Sequence, residues 1–172
     1  MIREGRQTDI PAMAGIYLED LKDTYKDLLP ASYLESLSME EARKTWESFL
    51  AGGDNRCLVW EEEETVMGFA GIKRDEAREK GAILSSLYVG RKFQGKRIGS
   101  SLVEHVLKQA ESQGNEMVEV CVVMENDRAR RLYEHLGAVY EKAVVYHFGE
   151  YPVDCGIYLW QIKNAAKKGE NK

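Results

Sequence analysis

The sequence predicts a mixed α/β (α+β) domain with a mostly antiparallel central sheet flanked by helices. Three observations predict it. Segments with apolar residues at helical spacing are separated by short runs rich in valine, isoleucine and tyrosine, which favour strands. The valine-rich run Met117–Met124 is typical of a strand that is covered on both faces. The last two apolar runs follow each other closely, as the two strands of an antiparallel pair do.

Four helices are predicted from capping residues and from the periodicity of apolar side chains. The first begins at Thr8 or Asp9, and the second begins at a capping box that runs from Ser38 to Glu41. A third, amphipathic helix follows the third main strand, and a short fourth helix ends at Gly137. The strands are expected at Ile2–Arg3, Cys57–Trp60, Val66–Ile72, Ala82–Val89, Met117–Met124, Val139–Phe148 and Val153–Ile162.

Length and composition limit the classes of protein to consider. The 172 residues fit one domain, which we predict over residues 1–163, with residues 164–172 as a flexible C-terminal tail. The net charge of -5 argues against nucleic acid or an anionic membrane as the partner. The odd set of cysteines, Cys57, Cys121 and Cys155, favours buried free thiols in a reducing compartment. The sequence has neither the apolar core of a signal peptide nor a stretch long and apolar enough to cross a bilayer, so a cytoplasmic location is expected.

A glycine-containing basic segment from Gly90 to Ser101 lies between the third main strand and the third helix. The N–H groups in the first turn of a helix have no internal acceptors, and the helix dipole adds positive charge there. Gly95 and Gly99 would let a ligand approach the backbone closely. The segment therefore favours a phosphate-binding turn, with an ordinary solvated basic loop as the alternative. It is neither a Walker loop nor a dinucleotide fingerprint, because the full glycine spacing is absent.

A second motif follows the valine-rich strand, at Asn126, Ala129, Tyr133, Leu136 and Gly137. The first segment fits the pattern Gln/Arg-x-x-Gly-x-Gly/Ala at Gln94, Ile98 and Gly99, but Arg97 stands where glycine is usual. Together and in this order, the two motifs resemble the GNAT superfamily of N-acetyltransferases, and the resemblance covers nearly the whole chain. Segments 24–30 and 33–38 are similar to a bacterial subgroup of these enzymes whose substrates are largely unassigned.

The resemblance implies that acetyl-CoA is the cosubstrate and that it binds between two splayed central strands, Ile83–Val89 and Val118–Met124. Backbone groups at the end of the first of these strands would hold the pantetheine arm. The basic segment would cover the pyrophosphate, and the second motif would contact the arm near the thioester. The implied cofactor-binding residues are Leu87, Tyr88, Val89, Gln94, Gly95, Lys96, Arg97, Ile98, Gly99, Ser100, Asn126, Ala129 and Tyr133. For Asn126 the alternative is a simple helix cap.

The reaction implied by the resemblance is direct attack of a neutral amine on the thioester, with CoA as the leaving group. Tyr133 matches the family's general acid, and its alternative role is a core tyrosine on an apolar helical face. Because an alkylamine is mostly protonated at neutral pH, a carboxylate base is expected. Glu119 is the first candidate and Glu79 the second, and the alternative for Glu119 is a strand residue that faces solvent.

The acceptor is expected to be a primary amine of a small molecule or a peptide. Three aromatic residues, Tyr25, Tyr33 and Trp46, are candidate walls of its site, with core packing as the alternative for each. The three histidines show no metal-ligand spacing, so no metal is expected. A non-catalytic acyl-CoA-binding or regulatory module on the same fold remains an alternative. A nucleic-acid-binding domain is disfavoured by the overall acidity and by the lack of a base-reading motif. A homodimer that involves the terminal strand stays open.

Overall fold

The computed structural model describes residues 1–162, so the tail predicted over residues 164–172 lies outside the described residues. Within the described chain, no helix is long and apolar enough to cross a membrane. The helices are α1 (Ile10–Thr24), α2 (Ala31–Ser36), α3 (Met39–Ala51), α4 (Ile98–Ser112) and α5 (Asp127–His135). The strands are β1 (Ile2–Glu4), β2 (Arg56–Glu62), β3 (Thr65–Arg74), β4 (Gly81–Val89), β5 (Met117–Val123), β6 (Val139–Phe148) and β7 (Tyr151–Gln161).

The strands form a sheet in the order β1-β2-β3-β4-β5-β7-β6, which confirms the predicted mixed fold with a mostly antiparallel sheet. β1 pairs antiparallel with β2, and β7 pairs antiparallel with both β5 and β6. β4 and β5 are parallel, because α4 connects them as a crossover. Their register runs from Gly81 opposite Met117 to Leu84 opposite Val120, and both strands continue beyond these pairs.

Local sequence signals explain most of the element boundaries. The Ser38 side chain accepts a hydrogen bond from the Glu41 N–H at 3.2 Å, so the predicted cap of α3 is present. β2 and β3 are joined through Glu63 and Glu64, which both have positive φ, at 48° and 61°. Two left-handed residues at the centre of a hairpin turn match the twist of the flanking strands. The short helix α2 was not predicted, because it follows Pro30 without a capping side chain.

Residue contacts group the chain into two compact units. Unit 1 comprises Met1–Gly71 and Ser86–Val103, and unit 2 comprises Ile72–Ser85 and the chain from Glu104 onward. β3, β4 and α4 therefore each contribute residues to both units. A single domain over residues 1–163 stays a prediction.

Unit 1 is built on a buried cluster in which the apolar faces of α1 and α3 meet residues of β2 and β3. Trp46 of α3 lies edge-on to Tyr17, Phe49 and Phe69, with ring centroids 5.5, 5.6 and 4.8 Å away. Tyr17 in turn packs edge-on against Tyr88 of β4 at 5.3 Å. Edge-to-face contacts of this kind add to the free energy of apolar burial. The cluster fixes the end of β4 from which the basic segment departs.

Unit 2 is built on the antiparallel ribbon of β5, β7 and β6. Alternate residues of β5, namely Val118, Val120 and Val122, are buried. The Tyr133 ring of α5 packs edge-on against Trp160 of β7, with ring centroids 5.5 Å apart. The Trp160 indole N–H also donates to the backbone carbonyl at the end of α5, at 3.2 Å. These contacts attach α5 to β7.

Candidate active site

The turn from β4 into α4 contains two residues in the left-handed region, Gly95 with φ of 81° and Arg97 with φ of 61°. Glycine adopts this conformation without steric cost. For Arg97 the contact between Cβ and the backbone costs roughly 1–2 kcal/mol. This cost explains why glycine is usual at the position of Arg97 in the motif that the segment resembles. The strained turn brings the chain directly into α4 at Ile98.

Six consecutive N–H groups, from Gly95 to Ser100, donate no hydrogen bond to a backbone acceptor within residues 1–162. The first backbone bond of α4 joins the Ser101 N–H to the Arg97 carbonyl, at 3.0 Å. The helix dipole places partial positive charge at the same end of the helix. An anion of several oxygens, such as a phosphate, is the ligand that such a row of donors suits.

Two hydrogen bonds hold this turn on the end of β4. The Gly90 N–H donates to the carbonyl of Met67 in β3, at 2.8 Å. The Gln94 side-chain amide donates to the carbonyl of Val89, at 3.3 Å. Gln94 therefore has a structural role in the turn, and its bond to Val89 uses one lone pair of a carbonyl predicted to contact the cofactor.

Three of the four basic side chains of the segment have partners within the described residues. The ammonium groups of Lys92 and Lys96 lie 5.3 and 5.9 Å from the centroid of the Phe93 ring. The Arg91 guanidinium lies 3.5 Å from Asp23 of α1. All three cations are exposed. The turn thus combines local positive charge with backbone donors in a chain whose net charge is negative.

In unit 2, Asn126 lies at the turn from β5 into α5 and caps the helix. Its Oδ1 accepts a hydrogen bond from the Ala129 N–H at 3.2 Å. The cap that the sequence left as an alternative is therefore present. It uses the backbone donor of Ala129, whereas the Nδ2 group of Asn126 has no hydrogen-bond partner in the described part of the chain.

Tyr133 lies on the buried face of α5 and is 6% exposed. Its ring contacts Trp160, and its carbonyl accepts a hydrogen bond from Ala138 at 2.9 Å. The apolar part of the side chain thus has the packing role that helical spacing indicates. A buried tyrosine ring and a chemically active hydroxyl are compatible, because the two ends of the side chain differ in polarity.

Glu119 lies on β5, opposite Ile83 of β4 and Leu159 of β7. Its carboxylate forms a 3.0 Å salt bridge with Arg78, and its side chain is 21% exposed. Arg78 lies in the connection from β3 to β4 and also contacts Asp75 and Glu141, at 3.2 and 3.3 Å. A proton transfer to Glu119 would weaken this ion pair, so a role as base has a measurable electrostatic cost.

The remaining predicted residues lie elsewhere in their units. Glu79, the second candidate for the base, is exposed in the connection before β4. Tyr25 follows the end of α1, and Tyr33 lies in α2; both are half-buried. Leu87, Tyr88 and Val89 form the last residues of β4 and are also half-buried.

The cysteines are free, but the prediction that Cys121 is buried was wrong. Side chains alternate along a strand, and Cys121 lies on the face of β5 opposite to buried Val120 and Val122. Burial raises the pKa of the Cys57 thiol to about 12. For Cys121, desolvation by the groups packed around the sulfur, together with the neighbouring Cys155 and Glu119, also raises the pKa to about 12, although the residue as a whole is exposed. Neither thiol is therefore a strong nucleophile at neutral pH.

Three polar residues around these positions were not identified from the sequence: Arg78, Arg130 and Tyr158. Each makes side-chain hydrogen bonds to residues that carry predicted roles or flank them. Arg130 had a weak signal, because it lies three residues before Tyr133 on the same helix. The contacts of Arg78 to Glu119 and of Arg130 to Tyr158 span 41 and 28 residues, and no local pattern reports them.

The sheet, the parallel β4–β5 pair and the donor-rich turn before α4 are the features expected of the acetyltransferase class that the two motifs resemble. Residues 18–138 match the sequence model of the acetyltransferase (GNAT) family. The chain therefore belongs to the GNAT acetyltransferase family, whose acetyl donor is acetyl-CoA. It is similar to phosphinothricin N-acetyltransferase of Streptomyces viridochromogenes, with 29% identity over 143 residues, which is 79% of this chain and 72% of that protein.

Solved structures agree with this fold. PaiA N-acetyltransferase of Thermoplasma acidophilum, in complex with coenzyme A, has a TM-score of 0.74 at 20% identity and covers 94% of this chain and 98% of its own. YncA of Salmonella typhimurium, with acetyl-CoA, has a TM-score of 0.71 at 20% identity. The match covers 95% of this chain and 94% of the YncA chain. At these identities the likeness shows the fold alone.

We expect the substitution Arg97→Gly to stabilise the protein. It removes the strain of a left-handed arginine, roughly 1–2 kcal/mol, and adds back roughly 0.5–1 kcal/mol of chain entropy. The net gain of about 0.5–1 kcal/mol should raise Tm by roughly 1–4 °C in thermal unfolding. Lys96→Gly is the matched control, because Lys96 has no positive φ and its replacement should lower Tm. Equal losses of Tm in the two variants would contradict the strain argument.

Proposed function

We propose that the protein is an N-acetyltransferase that moves the acetyl group of acetyl-CoA to a primary amine by direct attack. The amine nitrogen forms a bond to the thioester carbonyl carbon as the C–S bond breaks. The nitrogen loses a proton to a base, and the CoA sulfur gains one from an acid. The observation that carries the proposal is the row of six N–H donors from Gly95 to Ser100, in a chain of the GNAT family.

For the cofactor, we propose that residues 94–100 hold the pyrophosphate through their backbone. The N–H groups from Gly95 to Ser100, which donate to no backbone acceptor within residues 1–162, and the α4 dipole support this role. The backbone of Leu87, Tyr88 and Val89 is proposed to pair with the amides of the pantetheine arm. Asn126 is proposed to contact the arm through Nδ2, since its Oδ1 already caps α5. Ala129 is proposed to line the same part of the arm.

The proposed acid is Tyr133. A phenol of pKa about 10 can protonate the departing thiolate, whose conjugate acid has a pKa near 8.5. The ring is fixed against Trp160, so little conformational entropy is left to lose when the hydroxyl meets the sulfur. A thiol nucleophile is not needed, and the pKa of Cys121, raised to about 12, keeps that thiol protonated at neutral pH. Direct transfer to the amine is therefore the simpler route.

Tyr133→Phe should lower kcat by about 100-fold or more at saturating substrates, because one proton donor is lost. The Kd for acetyl-CoA should stay within about twofold, since the ring packing is kept. Steady-state kinetics and calorimetric titration with acetyl-CoA measure the two quantities. Tyr140→Phe is the control, because Tyr140 is 47% exposed on β6. An unchanged kcat in Tyr133→Phe would refute the assignment.

For the base, Glu119 remains our proposal, and its position on β5 beside Arg78 makes a discriminating test available. Glu141 contacts the same guanidinium but lies on β6. Replacing either carboxylate with an amide removes one negative charge from Arg78. Only the replacement on β5 would remove the proposed proton acceptor.

Glu119→Gln should lower kcat/KM for the amine by about 100-fold, because the proposed proton acceptor is lost. Glu141→Gln should leave kcat/KM close to that of the parent protein. The measurement is the initial rate against amine concentration at one fixed pH, so that the amine is ionised to the same extent with every variant. If the two variants lose activity equally, Glu119 acts only through the Arg78 ion pairs and is not the base.

The acceptor is proposed to be a primary amine of a small molecule or a peptide, with Tyr25 and Tyr33 as walls of its site. One relative carries phosphinothricin in its name, so an amino acid of this type belongs in the test set. Homodimerisation and a cytoplasmic location stay predictions.

An amine panel tests the proposed function itself. Phosphinothricin, spermidine, kanamycin and an alanine-initiated tripeptide are each incubated with acetyl-CoA and the protein. We expect at least one amine to raise thiol release well above the rate without amine, and the product to carry one acetyl group by mass spectrometry. Tyr133→Phe serves as the inactive control. Tight acetyl-CoA binding without amine-dependent thiol release by any of the four would instead favour a non-catalytic module.

A further inference from the structure

The Arg130 side chain links the turn Met124–Asp127 to the helix α5 that follows it, in addition to the Asn126 cap. Its Nη1 donates to the Met124 carbonyl, at the end of β5, at 3.0 Å. The same nitrogen lies 3.4 Å from Asp127 in the first turn of α5. The turn and the helix are thus tied together at a point three residues before Tyr133.

The same guanidinium reaches a second element through Tyr158 of β7. Arg130 Nε donates to the Tyr158 hydroxyl at 3.2 Å, and that hydroxyl donates to Glu134 Oε1 at 3.0 Å. Tyr158 is 1% exposed, so its hydroxyl would be costly to leave without partners. The hydroxyl is therefore fixed by one donor and one acceptor, both on α5.

Arg130 and Glu134 are one helical turn apart and flank Tyr133 in sequence. A single buried hydroxyl on β7 thus contacts α5 on both sides of the predicted acid. A rotation of α5 about its axis would break at least one of these bonds and the Trp160–Tyr133 ring contact. The network therefore fixes the rotation of α5 about its axis, and this rotation determines the position of the Tyr133 hydroxyl.

We infer that Arg130, through Tyr158 and the Met124 carbonyl, is a positioning residue for the Tyr133 hydroxyl. The inference rests on the proposed function, in which Tyr133 is the acid. Arg130 itself has no contact with the reacting atoms in this assignment. It acts on the rate through the placement of another group, and a displacement of about 1 Å is enough to lower a rate by about 100-fold.

A double-mutant cycle with Tyr133 tests the inference, using acetyl-CoA and the most active amine of the panel. Arg130→Met keeps the apolar stem and removes every donor. It should lower kcat by about 10-fold while KM for acetyl-CoA stays within about twofold. In the Tyr133→Phe background the same substitution should change kcat by less than about twofold, because no acid is left to position. Arg130→Lys should recover part of the rate by donating to the Met124 carbonyl.

Arg131→Met is the matched control, because Arg131 is an exposed residue of the same helix, and it should leave kcat unchanged. Tyr158→Phe provides a second, milder variant that removes only the hydroxyl. It should lower kcat in the parent protein but not in the Tyr133→Phe background. Equal losses of kcat in the parent and Tyr133→Phe backgrounds would show a merely structural role and overturn the inference. Normal turnover in Tyr133→Phe alone would refute the acid assignment, and the inference with it.

Discussion

The structure depends on one constraint: the chain must enter α4 so that the first turn of the helix keeps its N–H groups without backbone acceptors. A tighter connection would cap those donors, and a looser one would not fix them in space. Two left-handed residues, Gly95 and Arg97, give the turn this geometry, and the left-handed backbone is sterically unfavourable for Arg97. Strain that persists at such a position is typical of a functional turn, because the surrounding contacts hold it in place.

Those surrounding contacts come from the core of unit 1. Trp46 and Tyr17 pack around Tyr88, so the end of β4 is rigid where the turn begins. The Gly90 N–H then bonds to β3, and Gln94 reaches back to Val89. The apolar periodicity of α1 and α3 thus has a consequence beyond stability. It fixes the strand from which the donor-rich turn projects.

The sequence predicted the elements well where local physics decides them. Ser38 capped α3 as expected, and the acidic turn between β2 and β3 formed a hairpin. The short helix α2 was missed because six residues after a proline give neither a cap nor a full apolar period. Cys121 was misjudged because an apolar run does not show which face of a strand each side chain takes.

Among the candidate site residues, those set by a local motif could likewise be predicted, and those set by tertiary contacts could not. Asn126, Tyr133 and the glycines could be proposed as site residues because each belongs to a motif with fixed spacing on one element. The long-range partners, Glu119 for Arg78 and Tyr158 for Arg130, were not predicted, because tertiary packing of distant segments brings them together. The register of β7 against β5 places Tyr158 opposite Val120, and only then does its hydroxyl meet α5. Residues that position others are therefore harder to predict than residues that belong to a motif.

In the proposed function, side-chain charge and backbone N–H groups have different roles in recognising the anion. The net charge of -5 gives no general attraction for a phosphate, so the attraction must be local. Lys92 and Lys96 are engaged with the Phe93 ring, and Arg91 lies beside Asp23. Exposed cations with such partners contribute little directional binding, and salt screens them. The N–H row of α4 is directional and fixed by the fold, so we propose that the backbone sets where the anion lies and that the side chains only raise its local concentration.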